Sequence, residues 1–160
     1  MSDPLATYLQ DHLAGSVLAV DLLEALRGEH AGEPLGELAA GLLVEVEADR
    51  TVLQGLVERV GAGPSPIKEA AAWLGEKVSR LKLHRDAAGE LGAFQALEVL
   101  ALGILGKRAL WRALAAAAPA DERLRGLDFA HLATRAQAQH DRVEEQRLAS
   151  AREALRPARD

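Results

Sequence analysis

Apolar residues recur every three or four positions along almost the whole of this chain, and the pattern is cut at only four places: RGEHAGEP, GAGPSP, HRDAAG and Pro119. That spacing specifies amphipathic helices, each obliged to bury one stripe, and the alternation that would signal strands or hairpins is missing. Helix 1 is expected from about Pro4 to Arg27, with Ser2 or Asp3 as its cap and Pro4 at the first helical position. Helix 2 should run from about Pro34 to Val60. A shorter helix, about Ile67 to Leu83, follows the Ser65-Pro66 start. Helix 3 covers about Glu90 to Ala117, and helix 4 begins near Asp121 or Leu124 and fades into RPARD, so that residues 156–160 read as a frayed tail.

The lengths of the connections decide the topology. Helices 1 and 2 are joined by a tight turn and must be antiparallel neighbours, and the same holds for helices 3 and 4. Between helices 2 and 3 lies a long link that carries its own helix and can travel the length of a bundle before the chain re-enters. Helices 2 and 3 are therefore expected to be parallel, in an all-α four-helix bundle with a helical crossover. At 160 residues there is room for one domain with a proper core, spanning residues 1–160.

Composition narrows what such a bundle could do. Hydrophobic residues make up 49% of the chain but aromatic ones only 3%, so the core must be built from Leu, Ala and Val. The net charge is −5 with both signs interspersed, which leaves no basic footprint for nucleic acid or for an anionic membrane surface. The absence of cysteine excludes a disulfide framework, a thiolate metal site and a cysteine nucleophile. The first residues lack a basic segment followed by an apolar run, and the longest apolar stretch, GAFQALEVLALGILG, is broken by Gln95 and Glu98. It falls short of the roughly 20 residues a membrane span needs. A soluble, cytoplasmic protein is the expectation.

Chemistry can come only from polar residues that point inward. On a helical wheel His12 lies within the stripe Leu5, Leu9, Ser16, Ala19, Leu23 and Leu26. Asp49 lies within the stripe Leu42, Val46, Leu53, Leu56 and Val60, with Glu45 one turn earlier toward its edge. Helix 3 is apolar nearly all round, which places Glu98, among Leu91, Phe94, Leu102 and Leu105, at least half inside. In helix 4 His140 falls at the centre of a stripe from Phe129 through Ala133, Ala136 and Val143 to Ala151, with Gln137 and Glu144 beside it. A turn near residues 30 and 31 sets His12 opposite Asp49, and a turn near 119 or 120 sets Glu98 opposite His140. Two arrangements meet these conditions. One is a set of buried hydrogen-bonded pairs that fixes helix register, with Arg50, Arg108 or Arg147 as further donors. The other is a metal site for iron or manganese, in which imidazole and carboxylate groups from facing helices converge.

The phrases YLQDHLAGSVLAVDLL, EVEADRTVLQGLV, EAAAWLGEKVSRLKL and LGILGKRALW, which together span most of the chain, resemble a small bacterial branch of the ferritin-like superfamily with a degenerate di-iron motif. The resemblance implies a ferritin-like fold, and fold alone confers no activity. Di-iron members use a Glu from each of two helices and a Glu-x-x-His pair from each of the other two. Carried over, Glu98 would be the helix 3 carboxylate and Gln137-x-x-His140 would stand in the place of a Glu-x-x-His pair. Helix 2 supplies Glu45 and Asp49 without a histidine, and helix 1 presents His12 where a glutamate is expected. This set is poor in carboxylates, so the reading favours a structural or interaction role without a catalytic centre, with a metal-binding or redox protein using His12, Asp49, Glu98 and His140 as the alternative.

Other chemistries find less support. His30 and His84 fall in linkers and His131 lies off the core stripe, too few inward histidines for a hemerythrin-like centre. GAGPSPIK lacks the Gly-Lys-Ser/Thr ending of a phosphate loop, and Ser16, Ser79 and Ser150 have no nucleophile-elbow or triad context. Trp73 and Trp111 read as packing anchors. Lys107, Arg108 and Arg112 in GKRALWR read as a solvated or salt-bridged face, and the broad apolar surface of helix 3 allows a homodimer interface.

Overall fold

The computed structural model of the protein describes residues 3–61 and 89–157, and every regular element among them is helical. Helix α1 spans Pro4–Glu29, α2 Pro34–Val60, α3 Glu90–Ala117 and α4 Phe129–Ala154. Two 3-10 turns, Ala118–Ala120 and Glu122–Leu124, lie between α3 and α4. The crossover helix expected over about Ile67 to Leu83, and Trp73 with it, lies outside the described residues. Among the described residues no helix is long and apolar enough to cross a membrane.

Helix ends follow local chemistry. Asp3 caps α1 by accepting the Leu5 N–H at 3.0 Å, and Pro4 follows at the first helical position, where its missing N–H costs nothing. Gly61, at φ 69°, ends α2 in the left-handed conformation that only glycine adopts cheaply. The α1–α2 turn is closed by contact between backbones: a Cβ on Gly36 would lie 2.0 Å from the carbonyl oxygen of His30. Asp128 caps α4 through the His131 N–H at 2.9 Å. The chain needs the two 3-10 turns to pass Pro119, so α4 starts at Phe129 rather than near Asp121 or Leu124. That delay, about two helical turns, resets which residues face each other across the α3–α4 hairpin.

α1 packs on α2 and α3, and α4 packs on α3 and α2. Directions follow from the bonds. Asp49 of α2 meets Arg135 of α4 while Glu45, a turn earlier, meets Arg142, so α2 and α4 run antiparallel. Because α3 and α4 form a hairpin, α2 and α3 run parallel. The ends of α2 and of the α3–α4 turn are tied by Arg59, which donates to the carbonyls of Arg123 (3.2 Å) and Arg125 (2.9 Å). Arg123 in turn bonds Asp121 and the α1 cap Asp3. The core between the helices is mostly leucine, with Trp111 wholly buried and stacked on Phe129 at 6.2 Å.

Candidate functional site

The core stripes repeat at alternating steps of three and four residues, and one layer of them is polar. In α2 the stripe Leu42, Val46, Asp49, Leu53, Leu56 places Asp49 inside, 2% exposed, as the sequence suggests. In α3 the stripe Leu97, Leu100, Ile104, Lys107, Trp111, Leu114 puts Lys107 at a core position. In α4 the stripe Phe129, Leu132, Ala136, Gln139, Val143 puts Gln139 there, wholly buried. These three side chains meet. Lys107 Nζ donates to Asp49 Oδ2 at 2.5 Å and to Gln139 Oε1. Arg135 donates to the other Asp49 oxygen. Gln139 Nε2 donates to Glu45 at 3.0 Å and to Asp49 at 3.3 Å, and Arg142 holds both Glu45 oxygens at 2.7 and 2.8 Å.

The result is one connected network joining α2, α3 and α4. Burial pushes the Lys107 ammonium below its usual pKa, against the pull of Asp49. Burial alone would raise the Glu45 carboxyl, but the bonds from Arg142 and Gln139 win and hold it below the usual carboxylate value. A buried carboxylate is tolerable only with its lone pairs satisfied, and each oxygen of Asp49 has a charged donor.

The expected pairs are replaced by others. His12 and Asp49 do reach the same region, but Asp49 bonds cations rather than the imidazole. His12 is half-buried, edge-on to Tyr8 at 4.7 Å between ring centres, and burial lowers its pKa while nearby Asp11 partly offsets the shift. Glu98 does not turn inward: its side chain is 53% exposed and faces Arg147 at 3.5 Å. Leu91, Leu102 and Leu105 on the same side of α3 are exposed with it. The delayed start of α4 brings Arg147, not His140, to the level of Glu98. His140 sits one residue beyond the buried position taken by Gln139, with Nδ1 3.5 Å from its neighbour Asp141. Gln137 bonds Asp141, and Glu144 bonds Arg147, which holds the Glu144 carboxyl below its usual pKa.

This donor set does not fit the di-iron group that the ferritin-like resemblance implies. Asp49 is enclosed by an ammonium and a guanidinium, Glu98 faces outward, and the two histidines lie in different surroundings. Among the described residues no three of His, Asp and Glu gather as ligands for a metal ion.

On the α1 side of the polar layer the packing opens into a cavity of about 280 Å³. Its walls come from α1 (His12, Gly15, Ser16, Ala19), α2 (Val46, Asp49, Arg50, Leu53) and α3 (Gly103, Ile104, Gly106, Lys107, Leu110, Trp111), with Asp11 at the rim. The Trp111 indole N–H and the Arg50 Nε–H are buried without an acceptor. No known protein family, no curated protein and no solved structure matches the chain.

Proposed function

We propose that this protein is a ferritin-like bundle with a structural or interaction role rather than a metal-dependent catalyst. One observation carries the reading: Asp49, the most buried carboxylate among the described residues, is saturated by Lys107, Arg135 and Gln139. A divalent ion would have to displace two cations held by charge-assisted bonds to use it. The parallel course of α2 and α3 supports the ferritin-like connectivity, and the exposed Leu102 and Leu105 support a second copy of the chain as partner. In this reading the network fixes the register between the two hairpins, since any axial slip would strand Lys107 or Asp49 without its counter-charge.

Metal content decides between this role and the iron or manganese alternative. Protein produced with added iron and manganese and purified without a histidine tag is analysed by plasma mass spectrometry. The expected result is metal well below one equivalent in a folded, helical protein. Near-stoichiometric metal that vanishes in the His140→Ala, Glu98→Ala double variant would overturn the proposal.

A further inference from the structure

α3 carries a second seam, on the side away from the core. Leu91, Gln95, Glu98 and Leu102 are continued by Leu105, Ala109, Arg112 and Ala116, in alternating steps of four and three residues over nearly the whole helix, and all of them are exposed. That spacing keeps one line of side chains facing one way, the arrangement by which one helix packs along another. The solvent face of α4 is studded with polar groups, among them Asp141, Glu145, Arg152 and Glu153. Between Glu98 and Arg112 the α3 seam has no charge at all, and Leu102 keeps 66% of its surface in water. The two halves of the seam differ in size and in sign. Leu91, Gln95 and Glu98 precede the central leucines, and Ala109, Arg112 and Ala116 follow them. Glu90 and Glu98 make the first half acidic, whereas Arg108 and Arg112 make the second half basic. Neither arginine has an ion pair or hydrogen bond among the described residues, and Glu98 has its contact with Arg147 at 3.5 Å.

Turned end for end, this seam complements itself. A two-fold axis midway between Leu102 and Leu105 sets Leu102 against the partner's Leu105 and Leu91 against the partner's Ala116. It also sets Glu98 against the partner's Ala109, with the partner's Arg112 one turn further on. Large side chains then meet small ones at the ends, acid meets base, and the two helix dipoles oppose each other. A parallel pairing would stack Glu98 on Glu98 and Arg112 on Arg112. We propose that two copies of the chain associate through this seam as an antiparallel, two-fold symmetric pair of α3 helices, with Leu102 and Leu105 at the centre and Glu98 facing the partner's Arg112. The inference rests on the reading that a second copy of the chain is the partner, and adds to it the surface and the orientation. One helix face is small for an interface, so the dimer should be weak, with a Kd on the order of micromolar. Exposed ion pairs add little affinity, and here their part is to exclude the parallel arrangement.

Sedimentation velocity of the full chain, from about 1 μM to about 1 mM, asks first whether a dimer forms. A monomer at every concentration would overturn both this inference and the second-copy reading, and is the result expected if residues 62–88 covered the seam. The dimer should lose about tenfold in affinity in Glu98→Arg and again in Arg112→Glu, and regain it in the double variant, whose charges are exchanged but still matched. Leu102→Glu, on an exposed side chain, should leave a monomer that is still helical by circular dichroism. Because the chain has no cysteine, introduced thiols report the orientation. Leu91→Cys and Ala116→Cys proteins, one of them labelled with ¹⁵N, should form the mixed disulfide under mild oxidation and little of either like-with-like product, since identical positions lie roughly 35 Å apart in the antiparallel pair. A dimer that ignores the charge variants and Leu102→Glu, or thiols that join like with like, would overturn the inference and leave the second-copy reading standing.

Discussion

The turn of α3 that carries Lys107 faces two unlike neighbours. Toward α4 and α2 the charged groups are joined in a chain of bonds from Arg142 through Glu45, Gln139 and Asp49 to Lys107 and Arg135, with only Arg135 Nε and His140 Nδ1 among the described buried side-chain atoms there left without a hydrogen-bond partner. Toward α1 the same layer meets Gly15, Ser16 and Ala19, side chains too small to fill the gap, and donors are left over. The difference shows how a bundle can divide one layer: one flank uses charge to specify which helices meet and at what height, and the other leaves small residues beside empty space.

The sharpest way to break this contrast is to remove the carboxylate at the centre of the crowded flank. Asp49→Ala leaves Lys107 and Arg135 without their counter-charge, and should cost about 3–5 kcal/mol in denaturant unfolding. An Asp49→Leu, Lys107→Met, Gln139→Leu triple variant should recover most of that loss, because an apolar layer of similar volume removes the desolvation penalty along with the bonds. If the triple variant is as unstable as Asp49→Ala, the network contributes net stability and not register alone.

On the open flank the sign reverses. Gly15→Ala meets no atom within 4 Å and replaces a poor helix former by the best one, so it should stabilise the protein by about 1 kcal/mol in the same measurement. A loss of stability there would mean that the α1 wall is packed more closely than the cavity implies.

The smallest effect is a pH dependence carried by His12. Burial lowers its pKa in the folded protein below the ordinary 6.5, so the unfolded chain takes up the proton first as the pH falls. Stability should therefore decline below about pH 6.5, before Glu45 and Glu144, whose lowered pKa values keep their contribution intact above the usual carboxylate value of 4.5. Comparing thermal unfolding at pH 7.5 and 5.5, the drop in Tm should be smaller in His12→Phe than in the parent protein.

How much of this was legible in the sequence depends on the helix. In α2 the large aliphatic residues, apart from the exposed Val44, lie on one half of the helix, and Asp49 inside with Glu45 at the edge could be read directly. In α4 the apolar residues are mostly alanines, which mark a face weakly. A stripe drawn through Ala133 and Ala151 points at His140, whereas the steps of three and four from Phe129 through Leu132 and Ala136 point at Gln139. α3 is apolar nearly all round, so Lys107 passed for a surface charge although it falls at a regular core step after Leu97, Leu100 and Ile104. Glu98 was misplaced for the same reason, and it was set opposite His140, with Arg147 only one of three further donors, because the two 3-10 turns around Pro119 postpone α4 by about two turns. The cavity had no local signal. Three isolated glycines on two helices acquire a common meaning only once those helices lie side by side.

The ion network also divides by sign along the chain. Its carboxylates, Glu45 and Asp49, belong to the first hairpin, and its cations, Lys107, Arg135 and Arg142, belong to the second. During synthesis the N-terminal hairpin emerges first, carrying two acidic groups on the face meant for the interior. Solvated carboxylates on that face oppose its collapse onto itself or onto another apolar surface. The second hairpin carries the complementary charges, so the two halves of the chain match by sign on the same faces where their leucines interlock.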